Sequence, residues 1–100
     1  MRLDFVGDVI YWRGPSPFYF VEAPAAVSAD IKALSAGLSY GWGCIPAVVQ
    51  IGDQEWSTAL IPKDGRYLVP IRKAFRLALE LDAGMAVSMS LELRRSNGAE

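Results

Sequence analysis

GRYLVPIRKAFRLALELDAGMAVSMSLEL, residues 65–93, contains the pattern that decides the fold class. From Met85 to Leu93, apolar residues alternate with small or polar ones, which is the two-residue period of a strand. Before it, Ile71–Leu81 has apolar residues at helical spacing, and Pro70 suits the opening of a helix, where its missing N–H costs nothing. Arg66–Val69 precedes the helix as a short strand. The stretch therefore predicts a strand, a helix and a second strand in that order.

The same order of elements occurs earlier in the chain. Phe18–Glu22 is a short aromatic strand, Pro24 precedes a stretch with apolar residues at helical spacing, and Ile45–Ile51 is a strand. Both helices also end on Leu-x-Ala-Gly, with Gly37 and Gly84 as the last residues. Two explanations stay open: strand-helix-strand units share such punctuation, or two related halves form one closed barrel.

Two further strands complete the predicted fold. Leu3–Arg13 alternates at its start and becomes apolar on both faces toward its end, and Glu55–Ile61 is the other strand. Pro62–Gly65 is a tight turn in which the glycine is placed to adopt a positive φ. Six strands and two short helices in 100 residues fit a small barrel with helices at its ends. We expect one domain over residues 1–95 and a frayed tail over 96–100.

The composition excludes several function classes. Of the 100 residues, 52% are hydrophobic and the net charge is −1, so the chain is neither disordered nor a general polyanion binder. It has no histidine and one cysteine, which removes the usual general base, the Ser-His and Cys-His nucleophile pairs and almost every zinc site. No metal-ligand spacing and no phosphate-binding glycine fingerprint occurs, so we predict no metal and no cofactor.

The chain also lacks the marks of export or membrane insertion. No apolar signal core follows a basic start, and the lone Cys44 fits a reducing compartment. Ala33–Gly52 is uncharged and of bilayer length, but its glycines, proline and polar residues argue against a spanning helix. We therefore expect a cytoplasmic protein that is a monomer or a homodimer, with no membrane as its partner.

Three motifs, in the same order, resemble a bacterial and archaeal "domain of unknown function" family (number nineteen-oh-five), often joined to a YdeI/OmpD-associated domain. They are WRGPSPFYF at residues 12–20, SYGWGCIP at residues 39–46 and STALIPKDGRYLVP at residues 57–70. The resemblance implies a double-split β-barrel, related in shape to the AbrB and MazE class of transcription factors. It implies no activity, because none is established for the family. Met85 departs from the pattern, since an acidic residue usually follows the glycine that we match to Gly84.

The residue pattern and the resemblance together predict a mainly β fold, a small double-split β-barrel of about six strands capped by two short α-helices. AbrB-type barrels are built from two chains, so the resemblance also implies a homodimer. If the repeat is real, one chain supplies both halves and a monomer is complete.

One candidate site joins three segments rich in aromatic residues, cations and turn formers. Such side chains suit a small planar ligand or a partner protein. The candidate residues are Trp12, Arg13, Tyr40, Trp42, Lys63 and Arg66. The alternative is structural, with aromatic rings that cap one end of the barrel and an arginine that holds a loop through carbonyl groups.

The second candidate is a basic cluster between positions 63 and 76, in which Asp64 is the one acid. Its residues are Lys63, Arg66, Arg72, Lys73 and Arg76. It indicates a phosphate or nucleic-acid surface of the AbrB-like kind, provided that the cations form one exposed face. The structural alternative is a turn and a solvated helix face on which Glu80 can pair with Arg76. No Asn or Gln lies in the cluster to read adenine, so sequence-specific binding is not predicted.

A non-catalytic binding or interaction module is the first functional prediction, with an unidentified small ligand or protein as its partner. A weak nucleic-acid-binding protein is the alternative, and an enzyme without histidine is the second alternative. The nucleophile candidates, none of which has a histidine partner, are Ser39, Cys44, Ser57 and Thr58. Asp4 and Asp8 lie about 13 Å apart at the rise of a strand, too far to act as a catalytic carboxylate pair. No catalytic residue is therefore predicted.

Overall fold

A computed structural model describes residues 2–13, 18–34 and 44–93. In chain order the elements are β1 (Arg2–Trp12), β2 (Phe18–Glu22), α1 (Ala25–Leu34), β3 (Ile45–Ile51), β4 (Gln54–Lys63), β5 (Arg66–Ile71), α2 (Lys73–Ala78) and β6 (Ala86–Leu93). The six strands close into a barrel in the order β1-β2-β5-β4-β3-β6. Every neighbouring pair is antiparallel. The predicted mainly β barrel of six strands with two helices is confirmed.

Two long strands join the halves of the barrel. β1 pairs with β6 over Arg2–Asp8 and with β2 over Asp8–Trp12. In the same way, β4 pairs with β3 over Gln54–Leu60 and with β5 over Ile61–Lys63. Each long strand therefore pairs with one neighbour over its first part and with a different neighbour over its last part.

The strand order has an internal two-fold relation. Exchanging β1 with β4, β2 with β5 and β3 with β6 leaves every neighbour relation in the ring unchanged. The register agrees with this exchange, because Val21 pairs with Val69 at the middle of the contact between β2 and β5. Each helix follows the second strand of its half. This arrangement is the one that the two-halves interpretation of the sequence repeat predicts.

The core fills the inside of the barrel with side chains that alternate along each strand. Val9, Val49, Leu60 and Leu91 are almost completely buried there. α1 adds Ile31, which is fully buried against the same cluster. Removing such a side chain from water contributes roughly 1.5–3 kcal/mol. The alternation that predicted the strands is therefore the pattern that forms the core.

The second helix is shorter than predicted. Ile71–Leu81 was expected to be helical, but Pro70 and Ile71 belong to β5 and α2 covers Lys73–Ala78 alone. Pro70 is tolerated because this end of β5 pairs with β2 and no longer with β4, so no hydrogen bond from β5 to β4 is lost. The predictions that Pro70 opens the helix and that Gly84 ends it are wrong.

The end of α2 is set by Glu80, whose φ of 55° lies in the left-handed region. The N–H of Leu81 donates to the carbonyl of Arg76 at 3.0 Å, and the N–H of Glu80 donates to that of Leu77 at 3.3 Å. These two bonds form a Schellman motif, which usually carries glycine at the position of Glu80. Gly84, with a φ of 91°, lies instead in the turn before β6.

The turn between β4 and β5 is as tight as predicted. Asp64 and Gly65 both have a positive φ, 52° and 78°, which is the two-residue turn that suits the twist of a hairpin. Met85 was counted with the last strand but precedes β6 and is exposed. The predicted Gly37 cap, the first five residues of the SYGWGCIP motif (39–43) and the tail 96–100 lie outside the described residues.

Candidate binding site

Trp12 and Lys63, two of the predicted site residues, are brought together. Each is the last paired residue of its strand before a hairpin connection, Trp12 opposite Phe18 and Lys63 opposite Arg66. The Nζ atom of Lys63 lies 4.3 Å from the centre of the Trp12 ring, within cation–π distance. The contact spans the outer wall of the half-barrel made by β1, β2, β5 and β4.

Two apolar side chains on this outer wall are buried although they do not belong to the barrel core. Phe20 is 7% exposed and Leu68 is 2% exposed, and neither is part of the core cluster. The Trp12 ring stands edge-on to Phe20 at 6.4 Å between centres, and Phe18 contacts Phe20 at 6.1 Å. A small second apolar cluster therefore lies on the outside of the barrel.

The rim of this cluster is accessible. Trp12 is 44% exposed, Phe18 51% and Ile61 36%. We call the whole the Trp12 surface, and its residues are Trp12, Phe18, Phe20, Ile61, Lys63 and Leu68. Exposed apolar side chains that form a contiguous patch, rather than single ones, are typical of binding surfaces.

The other predicted residues lie near this surface or beyond the described part. The Nη1 atom of Arg66 lies 3.7 Å from Oε1 of Glu22, and the same group donates to the carbonyl of Ala23 at 3.5 Å. Arg66 and Lys63 also line a recess of about 450 Å³ against α1, which we call the hairpin recess. Arg13 follows Trp12 and is exposed. Tyr40 and Trp42 lie outside the described residues.

The wall on the opposite side of the barrel is polar. Ser90 Oγ donates to Asp4 Oδ1 at 2.5 Å, and Arg2 Nε donates to the same oxygen at 3.2 Å. The hydrogen bond from Ser90, followed by that from Arg2, lowers the pKa of Asp4. The outer surface of the barrel is therefore apolar on one side and polar on the other.

The five cations of the basic cluster fall into two groups. Lys63 and Arg66 line the hairpin recess, whereas Lys73 and Arg76 line a different one. Arg66 begins β5 and Arg72 follows its end, so the groups are separated by a strand roughly 16 Å long. Arg72 donates to the carbonyl of Ser57 at 3.1 Å. The structure therefore arranges these residues as one pair and one group of three, and not as one continuous row.

Arg76 makes two contacts that fix its guanidinium. Its Nη1 atom donates to the carbonyl of Leu81 at 3.4 Å, and its guanidinium carbon lies 4.1 Å from the centre of the Tyr19 ring. The predicted pairing with Glu80 is not among these contacts. Glu80 instead lies in the bend that ends α2.

One recess includes residues that the sequence analysis did not select. It measures about 340 Å³ and is lined by Tyr11, Phe18, Tyr19, Ile71, Lys73 and Arg76. The tyrosines are a register pair, so the strand pairing between β1 and β2 brings them together. The alternation of β1 puts Tyr11 on the same face as the buried Val9, but no local signal shows that the barrel opens beside it. We call this site the aromatic recess.

Two further features bear on the predicted nucleophiles and on metal binding. Cys44 is half-buried. Within residues 2–13, 18–34 and 44–93, no group of three or more His, Cys, Asp or Glu side chains is placed to hold a metal ion. Over the same part of the chain, none of the helices has the length and apolar character that a membrane crossing requires.

The fold and these surfaces define a small closed β-barrel protein with one apolar and one polar outer wall. The family model for "Domain of unknown function (DUF1905)" matches residues 5–91, so the chain belongs to that family. The resemblance read from the three sequence motifs is thereby confirmed. A comparison with curated proteins finds no match.

Proposed function

We propose that this chain is a non-catalytic binding module and that the Trp12 surface is its contact with a partner protein. The observation that carries the proposal is the second apolar cluster, in which Phe20 and Leu68 are buried on the outside of the barrel beneath a half-exposed Trp12. Covering the exposed rim of such a cluster is favourable because apolar area leaves water. Tryptophan is also among the side chains that dominate binding energy at interfaces.

The charges beside the Trp12 surface favour an acidic partner segment. Lys63 lies over the Trp12 ring, and Arg13 is exposed directly after it, with no partner among the described residues. Asp64, 3.7 Å from Lys63, is the acid on this hairpin tip and its side chain is 87% exposed. A segment with a large apolar side chain next to Asp or Glu would bury Trp12 and neutralise both cations. Complementary charge of this kind adds specificity and speeds association.

Selection from a random peptide library tests this proposal. The wild-type chain should enrich peptides that combine an aromatic or large aliphatic residue with an adjacent acid. Trp12→Ala and Lys63→Gln should each lower the affinity for the selected peptide at least about fivefold, which corresponds to roughly 1 kcal/mol of binding free energy. Arg2→Gln, on the polar wall, removes the same charge as Lys63→Gln and should leave the affinity unchanged.

A second copy of the chain is the other occupant that this surface could take. Sedimentation of the wild type and of Trp12→Ala separates the two cases. A monomer at all concentrations, together with selected peptides that depend on Trp12, supports the proposal. A homodimer that Trp12→Ala dissociates would replace the partner protein by self-association, and the absence of any enriched peptide would contradict the proposal. We place the protein in the cytoplasm, where its single cysteine would stay reduced.

A further inference from the structure

We infer that the aromatic recess is a second binding site and that its ligand is a planar aromatic anion, such as an aryl carboxylate or a nucleotide. The recess lies at the end of the barrel between α2 and the tip of the β1–β2 hairpin. It shares only Phe18 with the Trp12 surface. The inference therefore does not depend on the proposed partner protein.

The walls of the recess provide the aromatic contacts. Tyr11 and Tyr19 lie 4.8 Å apart between ring centres and are tilted by 51°, so their faces form an angled wall. Phe18 contributes a third ring and Ile71 an apolar floor. Tyr11 is 44% exposed and Phe18 is 51% exposed, so both rings remain accessible to a ligand. A flat ring system can stack on such side chains whatever its substituents.

The cations of the recess define the charge of the ligand. Arg76 is held in place by the Leu81 carbonyl and by the Tyr19 ring, which leaves its other nitrogen atoms as donors at a fixed position. Lys73 is exposed and has no partner among the described residues. Among the described residues, no acid lines the recess. Fixed guanidinium and ammonium groups without a competing acid favour a carboxylate or a phosphate.

The corresponding recess in the other half of the barrel shows that the fold does not require this composition. The hairpin recess is likewise formed by a hairpin tip of one half and the helix of the other half, here the β4–β5 hairpin and α1. The last two register pairs of the β4–β5 hairpin are Lys63 with Arg66 and Pro62 with Tyr67, where the β1–β2 hairpin has Trp12 with Phe18 and Tyr11 with Tyr19. All four of these residues are aromatic in the β1–β2 hairpin, but only Tyr67 is aromatic in the β4–β5 hairpin. Closure of the barrel therefore does not require aromatic residues at these four positions. The aromatic residues of the β1–β2 hairpin are explained by a ligand better than by the fold.

The size of the recess also fits a ring that carries one anionic group. Its volume of about 340 Å³ lies at the lower end of the range for small-molecule sites. The aromatic wall and the two cations lie side by side, so one ligand can use both. A ring without charge, or a charge without a ring, would use only half of the site.

Calorimetry with four probes tests the inference on the full chain. AMP and naphthoate carry both features with different anions, whereas adenosine has the ring system and inorganic phosphate the charge alone. AMP or naphthoate should bind at least about tenfold more tightly than adenosine and phosphate, since each additional good contact contributes on the order of that factor. Chemical shifts of the tyrosine rings on binding should locate the ligand at Tyr11 and Tyr19.

Lys73→Gln is the variant of choice because Lys73 makes no contact that the fold depends on among the described residues. It should weaken the charged probe about tenfold and leave adenosine unchanged. Arg2→Gln removes the same charge from the polar wall and should have no effect. If both variants lowered the affinity for the charged probe equally, the binding would be general charge attraction, and this result would overturn the inference. So would the absence of any binding at millimolar probe concentration, whereas a failed peptide selection would affect only the proposed partner protein.

Discussion

Trp12 and Lys63 hold corresponding positions in the two halves of the barrel and contact each other at 4.3 Å. Each is the residue at which the first strand of a hairpin makes its last pair. Two strands, β2 and β5, lie between them in the sheet, so their contact closes the outer wall diagonally. Phe20 and Leu68 are buried on the same wall. The internal two-fold relation of the strands is thus visible in side chains as well as in the backbone.

The contact between these two residues should stabilise the fold measurably. A cation–π pair at a partly exposed site contributes roughly 0.5–1 kcal/mol. Unfolding by urea, followed by circular dichroism, should give that coupling energy for wild type, Trp12→Ala, Lys63→Ala and the double variant. A coupling energy of zero would mean that the two side chains are only neighbours. Lys63→Met, which retains most of the apolar stem, separates the loss of charge from the loss of packing.

Gly7 is expected to be intolerant of any side chain. A Cβ atom at this position would lie 2.6 Å from Cγ1 of Val21 and 2.8 Å from the carbonyl oxygen of Glu22. The oxygen belongs to β2, so relief requires the strand to move at the place where β1 passes from β6 to β2. Gly7→Ala should lower the free energy of unfolding by about 1–3 kcal/mol.

Gly65→Ala is the comparison for Gly7→Ala. No atom of the described residues lies within 4 Å of a Cβ atom at Gly65, so its φ of 78° is the source of strain there. Its cost should therefore be confined to roughly 1 kcal/mol, the penalty for an L-residue in the left-handed region. Thermal and urea unfolding should rank Gly7→Ala as the more damaging change. The reverse order would show that β2 shifts easily.

Ser28 should contribute more to the stability of the fold than the size of its side chain indicates. It is buried, its Oγ donates to the carbonyl of Ala23 at 3.2 Å, and it accepts from the N–H of Tyr67 at 3.1 Å. Ser28→Ala leaves that N–H without its partner in a buried place, which costs about 1–3 kcal/mol. Ser88→Ala, at an exposed position on β6, should change stability by less than about 0.5 kcal/mol. Faster hydrogen exchange at the Tyr67 amide in Ser28→Ala alone would identify the broken bond, and equal effects of the two variants would contradict this role.

The strands were predictable from the sequence because their signals are local. Alternation and turn residues placed Phe18–Glu22 and Ile45–Ile51 at the bounds that the structure has. The end of α2 was not predictable in this way. Glu80 adopts a conformation that glycine favours, and the bond from Leu81 to Arg76 supports it. Leu81 is buried in the core, so tertiary packing decides where this helix ends.

The candidate site was predictable only in its residue types. The sequence indicated aromatic residues and cations near the hairpin tips as candidate binding residues. The contact of Trp12 with Lys63, however, depends on the closure of the whole barrel. The split of the basic cluster has the same cause, because Arg66 begins β5 and Arg72 follows its end. Tyr19 was read only as part of a short strand. Its place beside Arg76 follows from packing between β2 and α2, which no local pattern encodes.

Glu80→Gly should stabilise the protein, in contrast to most substitutions. A φ of 55° is unfavourable for glutamate, and glycine adopts it without a clash of its own. Glycine also makes the unfolded chain more flexible, which offsets part of the gain. The expected net gain in the free energy of unfolding is about 0.5–1 kcal/mol. Glu80→Ala is the control, since it removes the same carboxylate and keeps the Cβ atom, and a gain of equal size in both variants would assign the effect to charge.

Binding to duplex DNA should depend on salt only weakly, because the cations do not form one row. Each phosphate contact lowers the logarithm of the affinity by about 0.9 per tenfold rise in salt, so five contacts would give a slope of roughly 4.5. The two groups of cations lie at opposite ends of β5. Lys63 and Arg66 are at its start, whereas Arg72, Lys73 and Arg76 follow its end. A duplex that meets only the group of three cannot exceed a slope of about 2.7.

Fluorescence anisotropy of a labelled random-sequence duplex, measured at several salt concentrations, gives this slope. Two of the three cations already serve the fold, Arg72 through the Ser57 carbonyl and Arg76 through the Leu81 carbonyl. We therefore expect a slope below about three and little binding at physiological salt. A slope of four or more would show that both groups reach the same duplex, and the AbrB-like alternative would then be favoured over the partner protein. Lys73→Gln and Lys63→Gln, measured side by side, would then each have to reduce the slope by about one.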